Sequence, residues 1–272
     1  MLRVGVIGCG GRMGRANMAE ILSTEGLELV GGIELPGSPA IGGDLGELAG
    51  RDPLGIKAGT DIGSLLTAAH VVIEFSTPDA SVANAQRCAD AGCAHVIGTT
   101  GLSVAHQAVL AECGQRIPVV WAANMSQGVS LLLGLVEQVA RALDPSFDIE
   151  IVEAHHRHKV DAPSGTALAL GEAAARGRGV DLAEIADRGR DGLTGARQSG
   201  HIGFAAMRGG DVIGDHTVLF AGDGERIELT HKASSREIYS RGAVRAARWA
   251  ASQPPGLYGM IDVLGLSSRR EA

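Results

Sequence analysis

The stretch LRVGVIGCGGRMG, residues 2–14, decides the fold. Residues 2–7 are a short β-rich apolar run, and the segment from Met13 to Leu22 has helical spacing without a breaker. A glycine cluster between a strand and a helix is typical of a dinucleotide-binding fold, in which backbone N–H groups and the helix dipole hold a pyrophosphate. The glycines fit G-x-x-G-x-x-G at 8, 11 and 14, because Met13 occupies the last position of the usual G-x-G-x-x-G.

Glu34 lies 20 residues beyond Gly14, directly after a second β-rich run, Leu27 to Ile33. An acidic residue at this position can accept hydrogen bonds from the adenosine ribose. The alternative interpretation is a tight structural turn followed by a surface glutamate. Leu35 follows Glu34, so no arginine is present there to pair with a 2′-phosphate, and this favours NADH over NADPH, although Arg12 could still contact a phosphate.

Three further β-rich runs continue this pattern to residue 121. Val71–Phe75, His95–Ile97 and Pro118–Trp121 alternate with helix-like segments at 81–91 and 103–113, whereas residues 37–59 are rich in Gly and Pro and are expected to be irregular. Alternating strands and helices predict an α/β fold with a Rossmann-like, doubly wound parallel sheet. Small and hydroxyl residues follow each of the three strands, at 75–78, 98–101 and 122–125, where open α/β sheets bind ligands; ordinary turn chemistry is the alternative.

From Ser126 the pattern changes to that of an α+β domain. A long apolar helix pattern runs to Ala142, a strand-like run covers residues 147–155, and another helix begins near Thr166. Three strand-like runs follow, at 202–207, 216–221 and 226–231, and the glycine turns between them predict an antiparallel meander. The amphipathic pattern at 235–251 predicts a helix that returns to the first domain.

The loop EAHHRHKVDAPSGT, residues 153–166, is the second chemical feature. It places three of the nine histidines and one of the three lysines in five consecutive positions, 155–159. Histidine and lysine are proton donors, and a group of cations suits an anionic substrate. Ser164 is expected to cap the following helix, and the Gly165 and Thr166 amides can bind a carboxylate; capping alone is the alternative.

Two other interpretations of this loop remain open. His156-x-His158 with Glu153 could hold a divalent metal ion, although no distant second cluster in the sequence completes such a site. Arg157 and His158 could also form a solvated basic patch.

Composition limits the class of protein. The 272 residues suffice for two domains, and a net charge of −7 makes nucleic acid an unlikely partner. The longest apolar stretch, near residues 131–136, is too short to span a membrane, and residues 1–14 lack the hydrophobic segment of a secretory signal, so we expect a cytoplasmic protein. The four cysteines form no CxxC pair and are expected to be reduced, mostly buried thiols.

Motifs along nearly the whole chain resemble those of the 4-hydroxy-tetrahydrodipicolinate reductase (dihydrodipicolinate reductase) family. They are VGVIGCGGRMGR, EFSTP, GTTG, AANMSQGV, EAHHRHKVDAPSGTA, RGGDVIGDHTVLFAGDGERIELTHKASSR and GLYGMIDVLGL. The resemblance implies a homotetrameric enzyme of lysine and diaminopimelate synthesis that reduces a small dicarboxylate imine with NADH or NADPH, without a metal. It implies a dinucleotide-binding domain at 1–125, a substrate-binding and oligomerisation domain at 126–235, and a C-terminal segment at 236–272.

The resemblance also implies roles for individual residues. His155 is the expected catalytic proton donor or acceptor and Lys159 a second proton donor, while His156, Gly165 and Thr166 are expected to bind the substrate carboxylates. The expected cofactor contacts are Gly8, Cys9, Gly10, Gly11, Arg12, Met13, Glu34, Gly98, Thr99, Thr100, Ala122, Ala123, Asn124 and Met125. Leu35 departs from family members that carry arginine there, which puts only the cofactor preference in question.

Two other functions are compatible with a dinucleotide-binding domain. A different nicotinamide-dependent dehydrogenase is possible, but short-chain dehydrogenase chemistry is disfavoured because neither Tyr239 nor Tyr258 begins a Tyr-x-x-x-Lys pair. A dinucleotide-sensing regulator is disfavoured by the absence of a basic DNA-reading element and by the His-Lys loop.

Overall fold

A computed structural model describes residues 1–266, so residues 267–272 of the expected C-terminal segment lie outside the described residues. The chain divides into two compact units. The first unit is Met1–Gln127 together with the described residues from Glu237 onward, and the second is Gly128–Arg236.

The first unit contains a six-stranded sheet in which every strand pair is parallel. Its strands are β1 (Leu2–Ile7), β2 (Leu27–Ile33), β3 (Val71–Glu74), β4 (Ala94–Ile97), β5 (Pro118–Trp121) and β11 (Gly256–Tyr258). The order β11-β5-β4-β3-β1-β2 places β1 and β3 side by side in the interior of the sheet. The predicted Rossmann-like parallel sheet is therefore confirmed.

Helices cover both faces of this sheet. They are α1 (Arg12–Ser23), α2 (Leu45–Leu48), α3 (Ile62–Ala68), α4 (Pro78–Ala91), α5 (Val104–Gly114), α9 (Glu237–Ala250) and α10 (Met260–Val263). One apolar core includes Val4, Met18 and Val244, and the other includes Val72 and Leu110. The helix pattern near the C-terminus thus returns to the first sheet, since α9 packs against α1 and β4. The stretch expected to be irregular, 37–59, contains only the one-turn helix α2.

The second unit is a mixed five-stranded sheet backed by helices. It comprises α6 (Gln127–Ala142), β6 (Asp148–His155), α7 (Gly165–Arg178), α8 (Leu182–Ile185), β7 (Ala186–Asp187), β8 (Ile202–Arg208), β9 (Gly214–Gly222) and β10 (Glu225–Ala233). Alternate residues of β6 are buried, and Ile149 and Ile151 pack in one apolar core with Leu170 of α7 and Phe220 of β9.

The predicted antiparallel meander is wrong. The sheet order is β10-β9-β6-β8-β7, so only β9 and β10 form a hairpin, while β6 lies between β8 and β9. The chain between β8 and β9 does not turn tightly; it passes the end of β6, where the Gly209 N–H donates to His155 O and the His156 N–H donates to Val212 O. With a neighbour paired on each side, β6 has one face that is buried along its whole length, including Ile149 and Ile151.

Within residues 1–266, no helix combines the length and apolar character needed to cross a membrane. All four cysteines are free and buried, which confirms the expectation that these thiols are mostly buried.

Candidate active site

The glycine loop joins β1 to α1 and explains the unusual glycine spacing. Gly8 has φ +77°, a conformation that favours glycine, and its carbonyl accepts from the Gly11 N–H at 3.2 Å. A Cβ on Gly14 would overlap the carbonyl oxygen of Gly8, so only glycine lets the first turn of α1 approach the loop this closely. The third glycine of this motif usually allows the helix to pack closely against the strand. In this chain Gly14 does so, and not the residue at position 13.

Glu34 lies directly after β2 and contacts the glycine loop. Its Oε1 accepts from the Gly10 N–H at 2.7 Å, and its Oε2 lies 3.2 Å from the Leu35 nitrogen. The half-buried carboxylate is thus held beside the loop, where ribose hydroxyls can bind. Burial and the nearby charge of Glu34 raise the pKa of the Cys9 thiol to about 11, so this cysteine of the loop remains a neutral thiol.

The loops after β3, β4 and β5 are tied together by hydrogen bonds through Thr99. Its hydroxyl oxygen accepts from the Ser76 N–H at 2.9 Å and from the Ser81 hydroxyl at 2.7 Å, and its carbonyl accepts from the Trp121 indole at 3.1 Å. Thr99 is a residue that positions these loops, because its side chain is almost fully buried.

The expected cofactor residues divide by exposure. Exposed or half-buried are Gly8, Gly10, Gly11, Arg12, Met13, Glu34, Thr100, Ala122, Ala123 and Asn124, whereas Cys9, Gly98, Thr99 and Met125 are buried. The Met125 side chain belongs to the apolar core, so a cofactor contact at this residue would involve its backbone.

A buried ion pair beneath these loops was not predicted from the sequence. Glu74 and His95 are fully buried, and their side chains are 2.8 Å apart. Ser76 and Asn84 also donate to the Glu74 carboxylate. Burial raises the pKa of Glu74, but the hydrogen bonds to His95, Ser76 and Asn84 outweigh it and the pKa lies below its usual value. A charged residue within the apolar run VVIEF was the available signal.

The second unit carries the histidines. β6 ends at His155, so His156, Arg157, His158 and Lys159 lie in a loop, and strand alternation does not apply to them. Glu153 and His155 both lie on the buried face of β6. In the sheet, His155 is opposite Arg208 of β8, and Glu153 is opposite His216 of β9.

Glu153 is the centre of a hydrogen-bond network. Its Oε2 is 2.6 Å from Nδ1 of His155, and Arg208 donates to both carboxylate oxygens at 2.8 Å. The Ser164 N–H donates to Oε1 at 3.1 Å. Burial raises the pKa of Glu153, but the hydrogen bonds from Arg208 and His155 outweigh it and hold the pKa below its usual value. The carboxylate is therefore ionised at neutral pH.

His216 lies edge-on to His155, with ring centroids 5.1 Å apart. Its Nε2 is 3.0 Å from the Ser164 hydroxyl, whose oxygen also accepts from the Ala167 N–H. The expected capping of α7 by Ser164 is thereby confirmed. Burial, with a further contribution from His155, lowers the pKa of His216 to about 4, so this ring is neutral beside His155.

Lys159 pairs with Asp161 at 2.8 Å and, like His156, is only partly exposed. Arg208 also donates to the Asp161 carbonyl at 2.6 Å, which anchors the loop to the end of β8. Gly165 and Thr166 form the first turn of α7, and no atom lies within 4 Å of a Cβ placed on Gly165. The positive end of a 14-residue helix therefore adjoins the histidines.

The structure thus adds Arg208 and His216 to the predicted site. It also changes the role of Glu153, for which the sequence indicated only metal binding, to that of a hydrogen-bond partner of His155. Both additions come from strands more than 50 residues away, and the RGGD and GDHT turns carried no chemical signal of their own. Across residues 1–266, no group of three or more His, Cys, Asp or Glu side chains could hold a metal ion.

Comparison with known proteins agrees with this geometry. The family model "Dihydrodipicolinate reductase, N-terminus" matches residues 2–125, and "Dihydrodipicolinate reductase, C-terminus" matches residues 128–264. The 4-hydroxy-tetrahydrodipicolinate reductase of Rhodopseudomonas palustris (strain BisB18) is 56% identical over 266 residues, 98% of each chain. That of Ruegeria sp. (strain TM1040) is 53% identical and covers 96% of this chain and 97% of its own.

A solved structure shows the same fold. The dipicolinate-bound dihydrodipicolinate reductase from Paenisporosarcina sp. TG-14 superposes with a TM-score of 0.77 at 24% identity, covering 96% of this chain and 98% of its own. The two family models together account for nearly all of the described chain, and the relatives match it end to end. The chain therefore belongs to the dihydrodipicolinate reductase family.

Proposed function

We propose that this chain reduces 4-hydroxy-tetrahydrodipicolinate to tetrahydrodipicolinate, with loss of water, in diaminopimelate and lysine biosynthesis. The observation that carries the proposal is the 56% identity, over 98% of both chains, to a curated reductase of this name. The enzyme depends on a pyridine nucleotide, which supplies a hydride when bound. The first unit holds the nucleotide through the glycine loop, and the second unit binds the small dicarboxylate imine.

In the second unit His155 gives a proton to the substrate, and Lys159 is a second proton donor. Both side chains can be cationic, and charge develops on the imine as the hydride arrives. The His156 side chain and the Gly165 and Thr166 amides bind the two carboxylates, supported by the helix terminus at Gly165.

In the first unit, the amides of the glycine loop bind the pyrophosphate, and Glu34 binds the adenosine ribose through the carboxylate that it holds beside Gly10. The residues at 98–100 and 122–125 complete the cofactor site. NADH is preferred over NADPH, because Leu35 is exposed and cannot pair with a 2′-phosphate.

The first test follows the loss of absorbance of NADH, and separately of NADPH, while the preceding synthase generates the substrate from pyruvate and aspartate semialdehyde. Oxidation that requires the synthase supports the proposed reaction, and a faster reaction with NADH supports the preference. No oxidation with either nucleotide, in protein that binds them, would refute the reductase assignment.

The roles in the second unit are tested with His155→Gln. We expect turnover to fall by about 10² to 10⁴, the usual contribution of a general acid, with nucleotide affinity unchanged. His70→Gln is the matched control, because His70 lies before the amino end of β3, at the sheet edge opposite the glycine loop. Near-normal turnover of His155→Gln would remove this residue from the mechanism.

We also propose that the enzyme is a cytoplasmic homotetramer, as the resemblance implies. Light scattering should give four times the chain mass, and fractionation of the source cells should place the protein in the cytoplasm. A different mass or fraction would reject the corresponding proposal.

A further inference from the structure

The ring of His155 has two nitrogens, and only one of them can face the reaction. Nδ1 is 2.6 Å from a carboxylate oxygen of Glu153. A carboxylate that is ionised only accepts hydrogen bonds, so Nδ1 must be the donor in this contact. The proton of the neutral ring is then fixed on Nδ1, and Nε2 becomes the nitrogen that gains and loses a proton.

The surroundings of Nε2 agree with its assignment as the nitrogen that exchanges a proton. A Cβ on Gly214 of β9 would lie 3.1 Å from Nε2, tighter than an ordinary contact. The glycine at this position therefore leaves one side of Nε2 uncrowded, whereas Nδ1 is turned toward the buried carboxylate of Glu153.

Besides His155, two other residues hold the Glu153 carboxylate. Arg208 donates to both oxygens from β8, and the Ser164 N–H donates from the start of α7. Since a bidentate arginine fixes both the charge and the plane of a carboxylate, Glu153 cannot rotate away from the ring without breaking these bonds.

We propose that Glu153 is a positioning residue that holds His155 by its Nδ1–H, so that Nε2 is the nitrogen that gives the proton to the substrate. The inference rests on the proposed function. In the reaction, the substrate loses water and takes up the Nε2 proton of His155 together with a hydride, which a bound nicotinamide would supply. The Nδ1–H bond stays intact, Glu153 takes no proton, and the neutral ring regains its Nε2 proton from solvent.

Charged and titratable groups near His155 and its partners come from several elements: Glu153 on β6, Arg208 on β8, His216 on β9, and Lys159 and Asp161 in the loop, while His231 on β10 acts on His216. Arg208 pairs with Glu153, Lys159 pairs with Asp161, and His216 is neutral. Glu153 is thus the anion in direct contact with the ring.

The decisive experiment is ¹⁵N NMR of the histidine rings in the full-length protein across pH, with His155 assigned by comparison with His155→Gln. In the wild type we expect the neutral ring to carry its proton on Nδ1, with Nε2 as the titrating nitrogen. A neutral ring protonated on Nε2 would overturn the proposal without any variant of Glu153, so the test does not depend on how well such a variant folds.

The second arm is Glu153→Gln, which keeps the size of the side chain and removes its charge. We expect kcat to fall about 10- to 100-fold with KM changed less than about threefold. The His155 ring should also lose its preference for the Nδ1 proton. A fall in kcat with an unchanged tautomer of the His155 ring would mean a structural role only and would overturn the proposal.

Glu150→Gln is the matched control. Glu150 lies three residues earlier on β6, on the other face, and is paired with Arg190 and Arg197 without contact to His155. This variant also breaks a glutamate–arginine pair, but it should leave the His155 tautomer and kcat unchanged. Changes equal to those of Glu153→Gln would overturn the proposal. The NMR experiment reports the tautomer of His155 whether or not the wild-type protein is active. Failure of the proposed function is therefore recognised separately, as a wild-type protein that oxidises neither NADH nor NADPH.

Discussion

His216 makes the stability of the second unit depend on pH, and the size of the effect follows from its burial. The side chain is 4% exposed, and burial lowers its pKa from 6.5 to about 4. The unfolded chain therefore binds a proton below pH 6.5 that the folded chain does not accept until about pH 4. Because the pKa of His216 is lower in the folded chain than in the unfolded chain, its neutral ring contributes fully to stability above pH 6.5. This contribution is lost as the pH falls toward 4.

The loss can be estimated from the same two values. At about pH 5 the unfolded ring is almost fully protonated and the folded ring is almost fully neutral, which costs about 2 kcal/mol relative to pH 7.5. Below pH 4 the full difference is about 3 kcal/mol. Acidification also protonates carboxylates, but that contribution is common to the wild type and to a His216 variant.

The measurement is urea unfolding of wild type and His216→Gln at both pH values and one protein concentration. Far-UV circular dichroism is the appropriate signal, since both tryptophans and both tyrosines lie in the first unit, at 121, 249, 239 and 258. We expect the wild type to lose about 2 kcal/mol more than His216→Gln between about pH 7.5 and 5. An equal loss in both proteins would refute the reasoning, because no proton would then be linked to His216.

Three further outcomes are expected. Gly14→Ala should destabilise the protein by about 1 to 3 kcal/mol and weaken NADH binding at least about tenfold, because the added Cβ overlaps the Gly8 carbonyl. Gly59→Ala is the control and should change neither stability nor NADH binding, because no atom lies within 4 Å of a Cβ placed there. Thermal unfolding and NADH titration measure both effects, and wild-type behaviour of Gly14→Ala would contradict the packing argument. Leu35→Arg should raise the NADPH-to-NADH efficiency ratio about tenfold without changing the melting temperature, since Leu35 is exposed; an unchanged ratio would contradict this. Lys159→Met should lower turnover by about 10² to 10⁴ with nucleotide affinity intact, as judged by steady-state kinetics and titration, whereas comparable turnover in both proteins would exclude Lys159 as a proton donor.

The first unit was largely predictable because its signals are local. Strands β2 and β5 have the predicted bounds, Leu27–Ile33 and Pro118–Trp121, since each is a short β-rich run bounded by turn or helix signals. Parallel pairing then follows from the alternation of strands and helices. The buried pair of Glu74 and His95 was not predicted, because no local pattern indicates that two polar side chains from neighbouring strands will meet.

The strand order of the second sheet could not be predicted from local patterns. Four of its five strands were recognisable, whereas the two-residue strand β7 was not predicted. Hydrophobic alternation marks a strand without indicating its partner. Glycine turns between β8, β9 and β10 suggested consecutive pairing, which is the commoner arrangement. The actual pairing of β6 with both β8 and β9 depends on contacts more than 45 residues apart in the chain, through the core that contains Ile151, Phe204 and Val218.

The unpredicted sheet order is also what assembles the predicted histidine into a site. Because β6 lies between β8 and β9, its last residues have a neighbour on each side: His155 is opposite Arg208, and Glu153 is opposite His216. In the expected meander β8 would pair with β9, and β6 could then have only one of these neighbours beside it. Arg208, which fixes the Glu153 carboxylate, and His216, which stays neutral beside His155, could not both reach their places. Local sequence therefore indicates the proposed acid, His155, whereas the long-range pairing of β6 determines the orientation of its ring and the charges around it.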